Sequence, residues 1–150
     1  MALFGGSFNP PHEGHLEIVE RVARRKSIDE VWVLPVWRHP LGKKLPSFGK
    51  RLKECRRFFK RGGLKKIKIK PFENHPRATG YTVDLLKHLT RKFPRYRFSW
   101  VMGSDSYRQR KRWKRFGELR KMVRLIVFPR GPKSPIPNVA SHKIRALTRK

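Results

Sequence analysis

The 150-residue sequence has few acidic residues, a single cysteine and no long apolar run. The lone Cys55 cannot form an internal disulfide, and an unpaired thiol is typical of a reducing compartment. No apolar run approaches the length of a membrane span, and no basic stretch precedes a long apolar region at the start. We therefore expect a single soluble, cytoplasmic domain without a membrane partner.

The shortage of acids makes the chain strongly basic. Lys and Arg number 39 against ten Asp and Glu, which gives a formal net charge of +29. Such a field attracts polyanions and phosphorylated ligands, with a strong dependence on salt, and says nothing about the fold. The chain thus has either a solvated basic surface or a surface dedicated to nucleic acid. Nonspecific binding of nucleic acid or another polyanion is expected in both cases.

Short apolar segments alternate with segments of helical periodicity. Strands are predicted at Ala2–Phe4, Val31–Pro35, Leu64–Lys70, Tyr96–Met102 and Val123–Phe128. Helices are predicted at Glu13–Lys26, Phe48–Lys60, Thr82–Lys92 and around Glu118. This rhythm is typical of a parallel sheet covered on both faces. We expect one α/β domain over residues 1–150, Rossmann-like, with a five-stranded, mainly parallel sheet.

The expected sheet also predicts where a ligand binds. In open α/β sheets, ligands lie beyond the carboxyl ends of the strands, where the strand order reverses. The chemistry should therefore lie just after Phe4, Pro35, Met102 and Phe128. The distinctive residues of the sequence cluster at these points.

The most informative segment follows the first strand and ends at His15. Gly5 and Gly6 allow a ligand to approach the backbone closely. His12 and His15 are three residues apart at the first helical turn, so both imidazoles can face the same space. Backbone N–H groups at a helix start favour anions. The alternative is two histidines with structural roles; the segment is not HExxH, and we predict no metal ligands here.

Five segments, in order, resemble the motifs of one enzyme family. They are Gly5–His12 with its flanks, His39–Lys43 followed by Phe48 and Arg51, Gly80–Asp84, Val101–Ser106 followed by Trp113, and Ser141–Arg145. The first resembles the (T/H)xGH nucleotidyltransferases, in the form seen in bacterial nicotinate-nucleotide adenylyltransferases. Because the matches cover nearly the whole chain, the sequence is identified as a member of this family.

The resemblance implies a reaction of NAD biosynthesis, the transfer of the adenylyl group of ATP to nicotinate mononucleotide with release of pyrophosphate. A phosphate monoester is already ionised near pH 7, so it needs no general base. The reaction needs alignment of two anions and stabilisation of charge on the transferring phosphoryl group. Histidines acting as hydrogen-bond donors meet that need.

The resemblance also implies roles for single residues on the ATP side. His12 and His15 would contact the ATP phosphates and the transition state, Lys43 would hold phosphate from the loop, and Arg145 would bind the β- and γ-phosphates. Mg²⁺ would accompany ATP, held mainly by phosphate oxygens and water. The further ATP-binding residues would be Gly5, Gly6, Ser7, Phe8, Gly103, Asp105, Ser141 and His142.

On the pyridine side, Tyr81 and Thr82 would present backbone N–H groups to the nicotinate carboxylate, and Trp113 would stack on or wall the ring. Each residue also has a plainer interpretation. Trp113 would be an ordinary core aromatic, and Tyr81 and Thr82 would simply begin a helix. Asp105 would form an ion pair, and Ser141 with Arg145 would belong to the start of a surface helix.

The sequence departs from the family pattern near its end. The expected Ser-Ser-Thr is Ala140-Ser141-His142, which removes one hydroxyl and replaces another. The chain ends five residues after Arg145, whereas relatives continue, so we expect a domain shortened at the C-terminus.

Two other functions compete with the leading one. The first is adenylyl or cytidylyl transfer to another phosphate monoester, such as phosphopantetheine. The second is a basic nucleic-acid-binding protein on a vestigial nucleotidyltransferase scaffold. Tyr81, Thr82 and Trp113 favour the pyridine substrate. The sequence leaves open the preference between nicotinate and nicotinamide and the oligomeric state.

Overall fold

A computed structural model describes residues 1–74, 78–131, 134–137 and 141–147, without the side chains of His142, Lys143 and Leu147. The strands are β1 (Ala2–Gly6), β2 (Val31–Pro35), β3 (Ile67–Ile69), β4 (Ser99–Gly103) and β5 (Arg124–Phe128). The helices are α1 (Glu13–Ala23), α2 (Phe48–Lys60), α3 (Thr82–Lys92), α4 (Ser104–Arg108), α5 (Phe116–Met122) and α6 (Ser141–Leu147), with a 3₁₀ turn at Arg110–Arg112.

The strands form a parallel sheet in the order β3-β2-β1-β4-β5. Phe4 of β1 is in register with Val33 of β2 on one side and Val101 of β4 on the other. The order reverses between β1 and β4, so the crevice that such sheets offer to ligands lies at the ends of these two strands. The predicted fold class is confirmed.

Alternating side chains of each strand enter two separate hydrophobic clusters. Ala2 and Phe4 of β1 pack with residues of α1 and α2, whereas Leu3 packs with residues of α3 and α5. Central strands of a parallel sheet are buried on both faces, which is why they read as nearly continuous apolar runs in the sequence. Among the described residues, no helix combines the length and apolar character that crossing a bilayer requires.

The boundaries of two predicted strands are wrong. The sequence predicts a strand over Leu64–Lys70, but β3 covers only Ile67–Ile69, because the N–H of Ile67 bonds to the Leu64 carbonyl in a turn. The fourth strand begins at Ser99 rather than at Tyr96, whose N–H bonds to the Phe93 carbonyl. Apolar alternation does not distinguish a tight turn from the strand that it leads into.

Smaller differences occur at other element ends. β1 continues two residues past the predicted Phe4, through both glycines, and α1 ends at Ala23 instead of Lys26. The helical stretch predicted around Glu118 is α5. The sequence did not predict α4 or the 3₁₀ turn, which both precede α5. The helix Phe48–Lys60 begins at the predicted residue, where Ser47 caps α2 by accepting the Lys50 N–H at 3.3 Å.

Candidate active site

The loop from β1 into α1 holds the two histidines against each other. Their imidazole rings are stacked, with centroids 3.6 Å apart. The backbone N–H of His12 donates to Nδ1 of His15 at 3.2 Å, so we assign the proton of neutral His15 to Nε2. The Phe4 and Phe8 rings pack edge to face against the His15 ring, with ring centroids 5.9 and 5.0 Å apart, respectively. The stack is therefore fixed by the backbone and by the core.

The surroundings keep both histidines neutral. Burial and then the Arg130 guanidinium lower the pKa of His12 to about 4. Burial lowers the pKa of His15 well below its usual value, and His12 and Arg130 lower it further. Neutral imidazoles act as hydrogen-bond donors at neutral pH without carrying charge. Nδ1 of His12 is buried and has no hydrogen-bond partner among the described residues.

The start of α6 docks on the same loop. The Ser141 hydroxyl donates to the Pro10 carbonyl at 2.8 Å, and the Arg145 guanidinium donates to the Asn9 carbonyl. Gly14 leaves room for Pro137, which precedes α6 in the sequence, because a Cβ on Gly14 would lie 2.8 Å from the Pro137 carbonyl oxygen. The structure thus brings the last described helix to the loop that carries the histidines.

A cavity of about 380 Å³ opens beside the end of β1. The residues that line it come from both sides of the point where the strand order reverses. They include Gly5, Gly6, Ser7, Val36, His39, Pro40, Leu41, Glu73, Gly80, Tyr81, Thr82, Trp100, Ser106, Gln109, Arg112, Trp113 and Lys114. The volume lies in the range of small-molecule sites, and the mixture of aromatic, backbone and cationic groups suits a planar anion.

One wall of the cavity is the start of α3. Tyr81 is the cap residue, and its N–H donates to Thr79 Oγ1 at 3.2 Å. Thr82 is the first helical residue, and an α-helix provides no acceptor of its own for that N–H. Unpaired amides at a helix start and the helix dipole both favour an anion.

The facing wall is aromatic. Trp113 follows the 3₁₀ turn and meets Trp100 of β4 edge to face, with centroids 6.4 Å apart. Trp100 also explains the glycine at the end of β1, because a Cβ on Gly5 would lie 2.5 Å from the Trp100 ring. The half-buried Trp113 therefore keeps part of its surface in the cavity while its position is fixed by the core.

Arg51 joins two loops that border the cavity. Its guanidinium is fully buried and donates to the carbonyls of Ser7, Trp37 and Pro46 at 3.0, 3.3 and 3.0 Å. Ser7 belongs to the loop after β1, and the other two carbonyls lie near the ends of the loop between β2 and α2. One side chain of α2 thus sets the distance between these loops.

Glu73 is the acid that faces the cavity. It is only 6% exposed, and its carboxylate accepts the Trp37 N–H at 3.2 Å. Burial raises the pKa of Glu73 to about 7, although the Trp37 N–H and the nearby Arg51 lower it. Sequence reasoning missed Glu73, because a single acid after a short strand has no motif around it.

These geometric features are those expected for a nucleotide site at the reversal point of a Rossmann-like sheet. The model of the cytidylyltransferase-like family matches residues 3–147, nearly the whole chain. The chain belongs to the cytidylyltransferase-like family.

Within this family, the chain is similar to proteins described as probable nicotinate-nucleotide adenylyltransferases. The relative from Myxococcus xanthus is 38% identical over 98% of this chain and 80% of its own length. The relative from Agrobacterium fabrum is 32% identical over 99% of this chain and 78% of its own length. The resemblance stated from the sequence is confirmed.

A solved structure shares the fold. The Plasmodium falciparum nicotinic acid mononucleotide adenylyltransferase complexed with NaAD superposes with a TM-score of 0.80 at 24% identity. The alignment covers 97% of this chain and 82% of that one. At this identity the likeness concerns the arrangement of strands and helices.

Other residues selected by the family resemblance lie around the same crevice. Gly103 ends β4, and a Cβ there would lie 2.3 Å from Oδ1 of the exposed Asp105. Lys43 is exposed in the loop between β2 and α2, and its charge contributes to the lowered pKa of His39. The Phe8 side chain lies in the core, 2% exposed, which leaves its backbone for a ligand. Ala140 and the side chain of His142 lie outside the described residues.

Arg130 is a cation that sequence reasoning missed. It follows β5, its N–H donates to Ser104 Oγ at 2.9 Å, and its charge lowers the pKa of both histidines. Because ligands in such sheets bind beyond the carboxyl ends of the strands, the residues just after Phe128 were candidates for the site, and Arg130 is one of them. It was hidden by the abundance of basic residues in the sequence.

Proposed function

We propose that this protein transfers the adenylyl group of ATP to nicotinate mononucleotide, forming nicotinate adenine dinucleotide and pyrophosphate. The observation that carries the proposal is the adjacency of two sites. The histidine stack, which we assign to the phosphates, lies at the start of α1, where His15 packs on Phe4 of β1. The cavity with Trp113 and the start of α3 opens at the end of the same strand. The kinship with nicotinate-nucleotide adenylyltransferases supports the same reaction.

In the reaction, a phosphate oxygen of the mononucleotide attacks the α-phosphorus of ATP. A new P–O bond forms, the bond from the α-phosphorus to the bridging oxygen breaks, and pyrophosphate leaves. No proton has to be removed from the nucleophile. The site therefore has to align two anions and stabilise the charge that develops on the phosphoryl oxygens.

His12 and His15 are assigned to donate hydrogen bonds to those oxygens. Both are neutral at pH 7, and Nε2 of His15 carries the donor proton because its Nδ1 is occupied by the His12 N–H. Neutral donors fixed in position need no reorganisation as charge develops. Arg145 and Arg130 approach this loop and crevice from α6 and from the end of β5, and Lys43 adds a third cation from the loop. We assign these cations to the triphosphate.

The pyridine ring of the mononucleotide is assigned to the cavity. Trp113 would lie against the ring, and the first-turn amide of Thr82 would bind the carboxylate. The residues assigned to the ATP side are the backbone of Gly5–Phe8, Gly103, Asp105, Ser141 and His142.

Mg²⁺ is proposed to enter with ATP. In the part of the chain that the structure describes, no three His, Cys, Asp or Glu side chains come together as a metal-ligand cluster. The ligands of Mg²⁺ would be mainly phosphate oxygens of ATP and water. When bound, Mg²⁺ would neutralise charge on the triphosphate. We also propose a cytoplasmic location, which the lone, buried Cys55 fits.

The proposal is tested by measuring pyrophosphate release at moderate salt with Mg²⁺ and ATP. The acceptors are nicotinate mononucleotide, nicotinamide mononucleotide and phosphopantetheine, and CTP replaces ATP in a parallel series. We expect turnover with ATP and nicotinate mononucleotide. Activity on phosphopantetheine without turnover of either pyridine mononucleotide would reject the proposed substrate, and inactivity with every pair would reject the proposed reaction.

A further inference from the structure

Lys114 stands where the cavity meets the start of α3. Its Nζ lies 4.3 Å from the centroid of the Tyr81 ring, and Lys114 lines the same cavity as Tyr81 and Thr82. An ammonium over an aromatic face is held by the ring quadrupole as well as by ionic partners. The position of the Lys114 charge is thus set beside the wall to which the carboxylate of the substrate is assigned.

The acid next to Lys114 does not cancel this charge. Asp84 Oδ2 is 3.6 Å from Lys114 Nζ, whereas Asp84 Oδ1 accepts Arg115 at 2.8 Å and Oδ2 accepts the Thr79 hydroxyl at 2.8 Å. The shorter contacts of Asp84 are with other groups. Asp84 is thus shared by Lys114 and Arg115, and Arg115 also contacts Glu118 Oε2 at 3.5 Å. Of these four charged residues, Lys114 is the one that lines the cavity.

The remaining charged groups of the cavity leave it positive. Arg112 lines it beside Trp113, and among the described residues the single acid in the lining is Glu73, which is buried with a pKa of about 7. His39 has a lowered pKa because of burial and Lys43, so it adds no charge at neutral pH. A cavity of this kind discriminates between ligands of equal shape by their charge.

Nicotinate and nicotinamide mononucleotide are such a pair. Their rings have the same size, and they differ in a carboxylate against a neutral amide. Backbone N–H groups at the start of α3 serve a carboxylate and an amide oxygen alike, so they discriminate less than a full positive charge does. We infer that Lys114 is a specificity residue, whose side chain favours the nicotinate carboxylate over the nicotinamide amide. The inference rests on the proposed function and extends it.

The variant Lys114→Met keeps the length and the apolar stem of the side chain and removes its charge. We expect the ratio of kcat/KM for nicotinate over nicotinamide mononucleotide to fall roughly two- to fivefold, the upper part of the range for a partly solvent-exposed charge pair. The change should lie in KM for the acid, with the amide nearly unaffected. Lys114→Arg keeps the charge and should retain most of the preference.

Lys111→Met is the matched control, because Lys111 is exposed three residues earlier and does not line the cavity. It removes the same charge from the molecule, so a change in ratio equal to that of Lys114→Met would attribute the effect to net charge and overturn the inference. An equal loss for both substrates in Lys114→Met would mean that Lys114 only holds Asp84 in place, which also overturns it.

Binding measured by quenching of tryptophan fluorescence separates the inference from the reaction itself. If the wild-type protein turns over neither mononucleotide, the proposed function fails. Weaker binding of nicotinate mononucleotide to Lys114→Met than to wild type, with the binding of nicotinamide mononucleotide unchanged, would still support the role of the lysine. In the remaining outcome, the wild type is active while Lys114→Met changes neither the kcat/KM ratio nor the affinity ratio for the two mononucleotides. In that case the inference is wrong and the proposed function stands.

Discussion

The imidazole rings of His12 and His15 lie nearly parallel, at an interplanar angle of 21°, with their centroids 3.6 Å apart. Two imidazolium rings at this distance would repel each other in a partly buried site, so the arrangement favours the neutral form of both. The two residues are also joined by the hydrogen bond from the His12 N–H to Nδ1 of His15.

Replacing His15 with Ala is expected to reduce kcat about 100- to 1000-fold, because it removes a fixed donor to the developing charge. His15→Asn keeps an N–H donor and should retain more activity. The measurement is pyrophosphate release, with thermal denaturation alongside because His15 packs against Phe8.

The matched control for His15 is His88→Ala, an exposed histidine on α3. It should keep wild-type activity. If His15→Ala folds and turns over at the rate of this control, the histidine has no role in catalysis.

Acid is expected to destabilise the protein through His12. The pKa of His12 is about 4 in the folded protein, against the ordinary histidine value of 6.5 in the unfolded chain. Between pH 6.5 and about 4, His12 is therefore protonated in the unfolded chain and unprotonated in the folded protein. The free energy of unfolding therefore decreases as the pH falls from 6.5 to about 4, by about 3 kcal/mol from this group. Urea unfolding at pH 7 and pH 4.5 measures it.

His12→Asn removes this titration and keeps a residue suited to a helix start. The variant should lose less stability than the wild type between the two pH values. A difference between variant and wild type that stays constant with pH would contradict the assignment of a lowered pKa to His12.

Removal of the Arg51 guanidinium is expected to loosen both loops at the cavity. Arg51→Met leaves three carbonyls without their donor and should lower the free energy of unfolding by about 3 kcal/mol. KM for the mononucleotide should also rise, since Ser7 and the loop after Trp37 border the cavity. Urea titration followed by tryptophan fluorescence reports the stability.

Arg57→Met on the same helix is the control for Arg51, because Arg57 is exposed. It should change the free energy of unfolding by no more than about 0.5 kcal/mol. Equal unfolding midpoints for the two variants would show that the buried hydrogen bonds of Arg51 do not hold the loops.

The net charge of +29 predicts nonspecific retention of single-stranded nucleic acid that falls steeply with salt. We expect equal losses of affinity when four exposed cations are changed to Gln on α2 (Lys50, Lys53, Arg57 and Lys60) or around β5 (Arg108, Arg120, Lys121 and Arg124). Fluorescence anisotropy with labelled oligonucleotides of two unrelated sequences measures it. A loss confined to one set, or a strong sequence preference, would indicate a dedicated nucleic-acid site instead.

Some residues of the cavity were predicted from the sequence, and others were not. The family motifs selected Tyr81, Thr82 and Trp113, and the structure gathers all three around one cavity. A motif residue can be recognised because the residues next to it in the sequence follow the family pattern. Glu73 and Trp100 belong to the same cavity without any motif, because their roles depend on burial and on contacts across the sheet.

The sequence by itself determined the succession of the main strands and helices and the parallel sheet, because apolar periodicity and glycine-rich turns are local properties of the chain. The kinship came from the resemblance of its five motif segments to one family. Only the tertiary structure decided that Arg51 joins two loops, that Arg130 stands near the histidines and that the start of α6 docks on the residues before His12. Those relationships connect positions up to 136 residues apart. Side-chain contacts over such distances follow from packing and have no periodicity to be read in advance.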